Sequence, residues 1–342
     1  MNRDLVAFAK PLYAASKTCV NVARASPFYK LTHLAVCCYN ACVSSLDIHI
    51  ARPLVLGEVL WDVFPDSTRL GGAPLNFAAH ARRLGHAPLL ISSVGDDELG
   101  LQAVREIQSL ELDTSLLQKT ERFPTGRATV TLDSHGQAAF HVERPAAYDA
   151  VTLSIYEIQA LQNMSPDWLY FGTLFPSRPE GHATLFELLR LVPDAIRFYD
   201  LNLRAGFDSP ALVCELLEQA DVVKLNQDEK DAVRRHLGLP AETNAFCQAA
   251  LKRFGWQAVC VTLGSRGCAI FANGQHHEEP VCRIDVADTV GAGDAFAAAF
   301  LHGLAAKWEI AEIARFANRL GALVASKSGA IPDWSMAEIA SP

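Results

Sequence analysis

The chain has 342 residues, 50% of them hydrophobic and 20% charged, with a formal net charge of −8. That composition supplies the material for a large globular core, and the acidic balance argues against general nucleic-acid binding. No uninterrupted apolar stretch reaches the length needed to span a membrane.

The first fifty residues stand apart from the rest. Residues 1–51 carry five Lys/Arg against two Asp/Glu, while residues 52–342 carry 25 against 36. Cys19, Cys37, Cys38 and Cys42 all lie there, and neither a helical nor a strand period is sustained. Asp4 and Pro11 spoil an amphipathic targeting helix, so residues 1–52 are expected to be an N-terminal extension outside the core. The core is expected to run from 53 to 337. The nine cysteines are odd in number and contain no Cys-x-x-Cys spacing. They read as reduced, largely buried thiols of a cytoplasmic protein.

From Pro53 the pattern becomes orderly. Residues 53–61 read as a strand ending at Asp62, 74–84 as a helix, 88–94 as a strand and 97–109 as a helix. Thr125–Asp133, a Ser-His-Gly turn and Gln137–Glu143 then read as a β-hairpin, either a flap over a ligand or a sheet edge. Strands at 167–171, 196–200, 221–225 and 257–262 alternate with helices at 182–191, 210–219, 227–236 and 243–254. Asn273-Gly274 is a turn signal, which makes His276-His277-Glu278-Glu279 a solvated hairpin rather than a metal site. Residues 281–287 read as one more strand, followed by a helix after Asp294. Strands alternating with helices imply parallel pairing in a layered α/β sheet, with ligands beyond the carboxyl ends of the strands. Asp62, Asp200, Asn226, Thr262 and Asp294 fall near such ends.

Asp288-Thr-Val-Gly-Ala-Gly-Asp294 is the most informative stretch. Its glycines lie where a strand hands over to a helix, and small residues there let ligand oxygens approach unpaired amides. Asp294 is then either a helix cap or a base. Other pieces keep similar alternatives open. Gly71-Gly72 is a turn before a helix or a ligand loop, and Asn226 a cap or a ligand-binding residue. Asp62 is a loop residue or a ligand contact, and Arg204 a structural or a site residue. No Gly-x-x-x-x-Gly-Lys-Ser/Thr occurs, and the first strand lacks Gly-x-Gly-x-x-Gly, which removes the P-loop and dinucleotide readings.

Taken in order, Gly71-Gly-Ala-Pro-Leu-Asn76, Val94-Gly-Asp-Asp-Glu-Leu-Gly100, Asp200-Leu-Asn-Leu-Arg204, Lys224-Leu-Asn-Gln-Asp-Glu229, Val261-Thr-Leu-Gly-Ser-Arg-Gly267 and Asp288–Asp294 resemble the ribokinase-like (PfkB-type) carbohydrate kinases, nearest to the fructokinases. The resemblance covers roughly residues 53–334. It implies a three-layer α/β fold with a mostly parallel central sheet and a small β-lid built from segments near 60–70 and 123–145. It also implies ATP-dependent phosphorylation of a sugar, D-fructose on its 6-hydroxyl being the first choice and 2-keto-3-deoxygluconate or ribose the alternatives. A non-catalytic sugar sensor would have lost the base or the glycine turn, and both are present here. Asp294 takes the place of the general base, and the amides of Gly291, Ala292 and Gly293 that of the anion hole. Asp62, Gly72, Asn76 and Arg127 match sugar-binding positions. Asn226, Thr262, Gly264, Gly267 and Asn318 match nucleotide-binding ones. Asn226 and Glu229 match the positions that organise Mg2+. A K+ site beside Asp288 and the 326–330 loop, and a homodimer formed through the lid, are further family features the sequence permits.

Overall fold

The first strands show how buried parallel pairing reads in sequence. The computed structural model describes residues 50–132, 138–272, 274–281 and 284–340. The extension up to residue 49 lies outside these, as do the Ser-His-Gly turn of the hairpin, Asn273 and Cys282. β1 (Pro53–Leu56) is buried at every position and pairs in parallel with strands on both sides. Leu54 and Leu56 enter one apolar layer and Val55 the other, so the run has no polar face. The chain then leaves the main sheet. β2 (Leu60–Val63) pairs instead with β3 (Thr68–Gly71), so the expected single strand over 53–61 is two strands in two different sheets.

Ala51 N donates to His86 Nδ1 at 3.1 Å and Arg52 N to Asp167 Oδ1 at 2.6 Å, so these two residues, expected outside the core, are bonded into the domain. α1 (Ala73–Arg83), β4 (Leu89–Gly95), α2 (Glu98–Ser109) and β5 (Leu117–Thr120) follow. β6 (Gly126–Leu132) and β7 (Ala138–Glu143) are the expected hairpin, and β6 pairs in parallel with β2. The result is a separate four-stranded sheet in the order β3-β2-β6-β7.

The remainder alternates: α3 (Ile155–Met164), β8 (Trp168–Phe171), α4 (Pro179–Leu191), β9 (Ile196–Asp200), α5 (Pro210–Gln219), β10 (Val222–Asn226), α6 (Gln227–Leu237), α7 (Thr243–Phe254) and β11 (Ala258–Thr262). An antiparallel pair, β12 (Cys268–Ala272) and β13 (Gln275–Glu279), closes one edge. The main sheet has nine strands in the order β13-β12-β11-β10-β9-β8-β1-β4-β5. Alternate side chains feed two apolar layers: Trp168, Tyr170 and Phe198 enter one, Leu169, Phe171 and Tyr199 the other. Helices on both faces complete the three-layer α/β fold with its small β-sheet. Among the described residues the four cysteines are free thiols, and no helix is long and apolar enough to cross a membrane.

Residues 284–287 are irregular rather than the expected strand. The amides of Ala287 and Asp288 both donate to Ala325 O, at 2.9 and 3.1 Å, so the end of a helix takes the bonds a neighbouring strand would have taken. α8 (Ala292–Ala305) follows, buried from Ala295 to Gly303, and packs against α1 and α9 (Ile310–Ala325).

Candidate active site

The carboxyl ends of β9, β10 and β11, the head of α8 and the inner face of the small sheet surround a cavity of about 890 Å3. Asp62, Gly72, Asn76, Asn226, Glu229, Thr262, Gly291, Gly293 and Asp294 line it. Nine of the residues singled out in sequence, distant along the chain, thus share one space.

Gly291 is the N-cap of α8 with φ of +77°. A Cβ there would stand 2.5 Å from Ala330 O and 2.6 Å from Ala330 Cα, so both conformation and space demand glycine. Among the described residues the amides of Gly291 and Gly293 find no backbone acceptor, whereas Ala292 N donates to Thr289 O at 3.3 Å. Ala292 also does not line the cavity. Two of the three expected anion-hole amides are therefore open, and the helix dipole adds positive potential beside them.

Asp294 lies in the first turn of α8, and Asn76 Nδ2 donates to its Oδ2 at 2.8 Å. Loss of hydration in the cavity wall, reinforced by the Asp200 carboxylate, pushes Asp294 up to about 7. Asn76 Oδ1 is buried with no partner among the described residues, leaving an unpaired acceptor beside the base. Gly72 begins the same helix at φ +112°, where a Cβ would meet Glu58 O at 2.4 Å. Asp62 faces the cavity from β2, and burial pushes it too up to about 7.

Several participants lie in or near the quoted motifs without a role assigned to them there. Asp200 is 1% exposed and receives both 2.8 and 3.0 Å bonds from Lys224 Nζ. The two are cross-strand partners in the β9–β10 register. Burial alone would push Lys224 down, but the pull of Asp200 and Glu229 outweighs it and holds the ammonium raised. A lysine inside the run Val-Val-Lys-Leu was the available signal, since a buried charge needs a partner. Arg69 reaches across from β3 to Asp288 Oδ2 at 3.1 Å, and Glu58 and Arg204 complete the wall.

Four expected site residues lie elsewhere. Arg127 is exposed on the outer side of β6, because β2–β6 pairing sets Ala128 beside Asp62 and Arg127 beside Trp61. Arg127→Ala is therefore expected to leave the sugar KM within about twofold in steady-state assays, and a tenfold rise would contradict this placement. Gly264 and Gly267 bound the turn between β11 and β12, off the cavity. Asn318 donates from Nδ2 to Glu279 O at 2.8 Å, and that carbonyl also packs against Gly267.

Asn226 and Glu229, the residues expected to organise Mg2+ and its waters, bond to the backbone around them. Asn226 Oδ1 accepts from Glu229 N at 2.9 Å, and Glu229 returns a bond to Asn226 N at 2.7 Å, a reciprocal helix cap. The other Glu229 oxygen accepts from Leu203 N at 2.9 Å. No group of three acidic, His or Cys side chains suited to a metal occurs among the described residues. The place expected for K+ is also supplied with protein donors: Asp288 Oδ2 accepts from Arg69 and from Gly329 N at 3.1 Å.

The pfkB family carbohydrate kinase pattern matches residues 38–336. A fructokinase of Escherichia coli is 29% identical over 300 residues, covering 82% of this chain and 95% of that one. The structure of a fructokinase with bound ATP from Xylella fastidiosa superposes with a TM-score of 0.73 at 26% identity, covering 84% and 97% of the two chains. A 2-dehydro-3-deoxygluconokinase from Thermotoga maritima, at 20% identity and TM-score 0.75 over 85% and 98% of the chains, shares the fold. With nearly the whole described domain inside the match and the glycine turn at the head of α8 opening on the cavity, this chain belongs to the pfkB family of carbohydrate kinases.

Proposed function

We propose that the protein transfers the γ-phosphoryl group of ATP to the 6-hydroxyl of D-fructose, with Asp294 as general base. The observation that carries this reading is the head of α8, where a carboxylate pushed up to about 7 stands beside open glycine amides on a large cavity. A carboxylate whose pKa lies near working pH is an efficient proton acceptor. The sugar hydroxyl gives its proton to Asp294 while its oxygen forms the new bond to phosphorus. The bond from phosphorus to the bridging oxygen breaks, and ADP leaves. The Gly291 and Gly293 amides and the helix dipole face the charge on the transferring group. Asp62, Gly72 and Asn76 hold the sugar, and the unpaired Asn76 Oδ1 suits a hydroxyl donor. Thr262 borders the nucleotide's phosphates from the end of β11.

The ATP carried by the Xylella relative and the fructokinase name of the Escherichia relative support the choice of co-substrate and sugar. Mg2+ would arrive on the nucleotide's own phosphates and waters and neutralise their charge. A second reading, an acidic sugar such as 2-keto-3-deoxygluconate, is favoured by one observation. Arg204 lines the cavity, and its guanidinium is bonded to Leu203 O with no carboxylate within ion-pair distance among the described residues. Phosphorus and carbon NMR of the product formed from ATP and fructose tests the first reading. Phosphate on the 6-carbon is expected, and phosphate on another carbon, or reaction with the acidic sugar alone, would overturn it.

A further inference from the structure

Behind the anion turn runs a buried hydrogen-bond chain that the chemistry above does not use. His80 is fully buried on α1, one turn after Asn76 and so on the same side of the helix. Trp334 Nε1 donates to His80 Nδ1 at 3.0 Å, and His80 Nε2 lies 3.0 Å from Ala330 O. An indole N–H only donates, so Nδ1 accepts, the ring proton sits on Nε2, and Nε2 donates to the Ala330 carbonyl. Burial pushes the imidazole down to about 4, consistent with a neutral ring.

Ala330 is the residue whose atoms fill the space against Gly291. The same loop is held from its other side by Gly329 N donating to Asp288 Oδ2 at 3.1 Å. Trp334 is itself seated by Arg83, which donates to Pro332 O at 2.5 Å and stacks 5.4 Å above the indole.

We propose that His80 is a positioning residue for phosphoryl transfer. Through Ala330 it fixes Gly291 while Asn76, one turn away, fixes Asp294, so that a single helix holds both the amides and the base. Trp334 selects the imidazole tautomer this requires. The inference rests on the kinase reading above, and it assigns work to two side chains outside the cavity.

The test compares wild type with His80→Leu, His80→Gln and Trp334→Phe in the full chain. Steady-state kinetics and hydrogen–deuterium exchange of the 287–294 segment are the two readouts. In His80→Leu kcat should fall about tenfold with the sugar KM within about twofold, since small displacements of reacting groups act on the chemical step. Exchange of 287–294 should quicken while β10 and β11 keep their protection. Glutamine can both donate and accept, so His80→Gln should recover most of the loss. Trp334→Phe removes the indole N–H while keeping an aromatic ring at the position, and it carries the same readouts if the leucine variant fails to fold. Unchanged kcat and exchange in His80→Leu and Trp334→Phe would overturn the inference. A wild-type protein inert on every sugar would overturn the kinase reading instead, and the exchange data would then decide on the brace alone.

Discussion

Asp294→Asn is expected to lower kcat by about 10²–10⁴-fold while leaving the fold intact. Asparagine keeps the acceptor that Asn76 binds but cannot take a proton. The pH dependence follows from the same group. In the wild type kcat should rise with pH and level off above about 7, the value to which burial raises the carboxylate. Stability should move the opposite way. The native state holds the Asp294 proton more tightly than the unfolded chain, whose carboxyl loses it near 3.8. Stability is thus full below the unfolded value and declines as pH rises towards about 7. Asp294→Asn removes that decline, so its melting temperature should exceed the wild type's at pH 8 and match it near pH 4. A site that costs stability when charged is a common feature of catalytic groups. A variant that retains kcat, or that melts well below the wild type at pH 8, would show that Asp294 is a structural cap.

Lys224→Met should produce the largest loss of stability. It leaves Asp200, 1% exposed, with only the Tyr170 hydroxyl at 3.1 Å among the side chains that now bond it. Breaking a buried pair by removing one partner costs about 3–5 kcal/mol, which corresponds to a fall in melting temperature on the order of 10 °C. The unpaired carboxyl will take a proton rather than remain charged, so the deficit should shrink as pH falls. Asp200→Asn combined with Lys224→Met should recover much of the lost stability, because no isolated charge then remains. The acid limb of kcat should also move to lower pH in Lys224→Met, since protonation of Asp200 removes an upward push on Asp294 larger than the ammonium's downward pull. Thermal melts between pH 5 and 8 check the first effect and pH–rate profiles the second.

Much of this was legible in the sequence because the turns that open helices depend on local residue types. Gly72, Asn226 and Gly291 sit at helix N-termini, and the chain around each spells that position without help from the rest of the fold. The apolar runs of β1 and β8 likewise announce strands buried on both faces. Errors arose where facing and pairing decide the outcome. Arg127, Thr129 and Thr131 share one parity of β6 and are exposed, while Ala128 and Val130 are buried, so the alternation itself pointed Arg127 outward. Residues 284–287 are β-branched enough to suggest a strand, yet the following amides bond a helix end. The Arg69–Asp288 bridge depends on a distance no spacing rule contains. His80 looks like an ordinary polar interruption of an alanine-rich helix until Trp334, 254 residues later, is placed against it.

In the proposed reaction Asp294 drives ATP-dependent phosphorylation of a sugar in this cavity. Release of ADP by purified wild type and Asp294→Asn, measured with ATP, Mg2+ and D-fructose, tests it most directly. Fructose-dependent ADP release that collapses in the variant is expected. Release unaffected by fructose and by every other sugar offered, or equal in the two proteins, would contradict it.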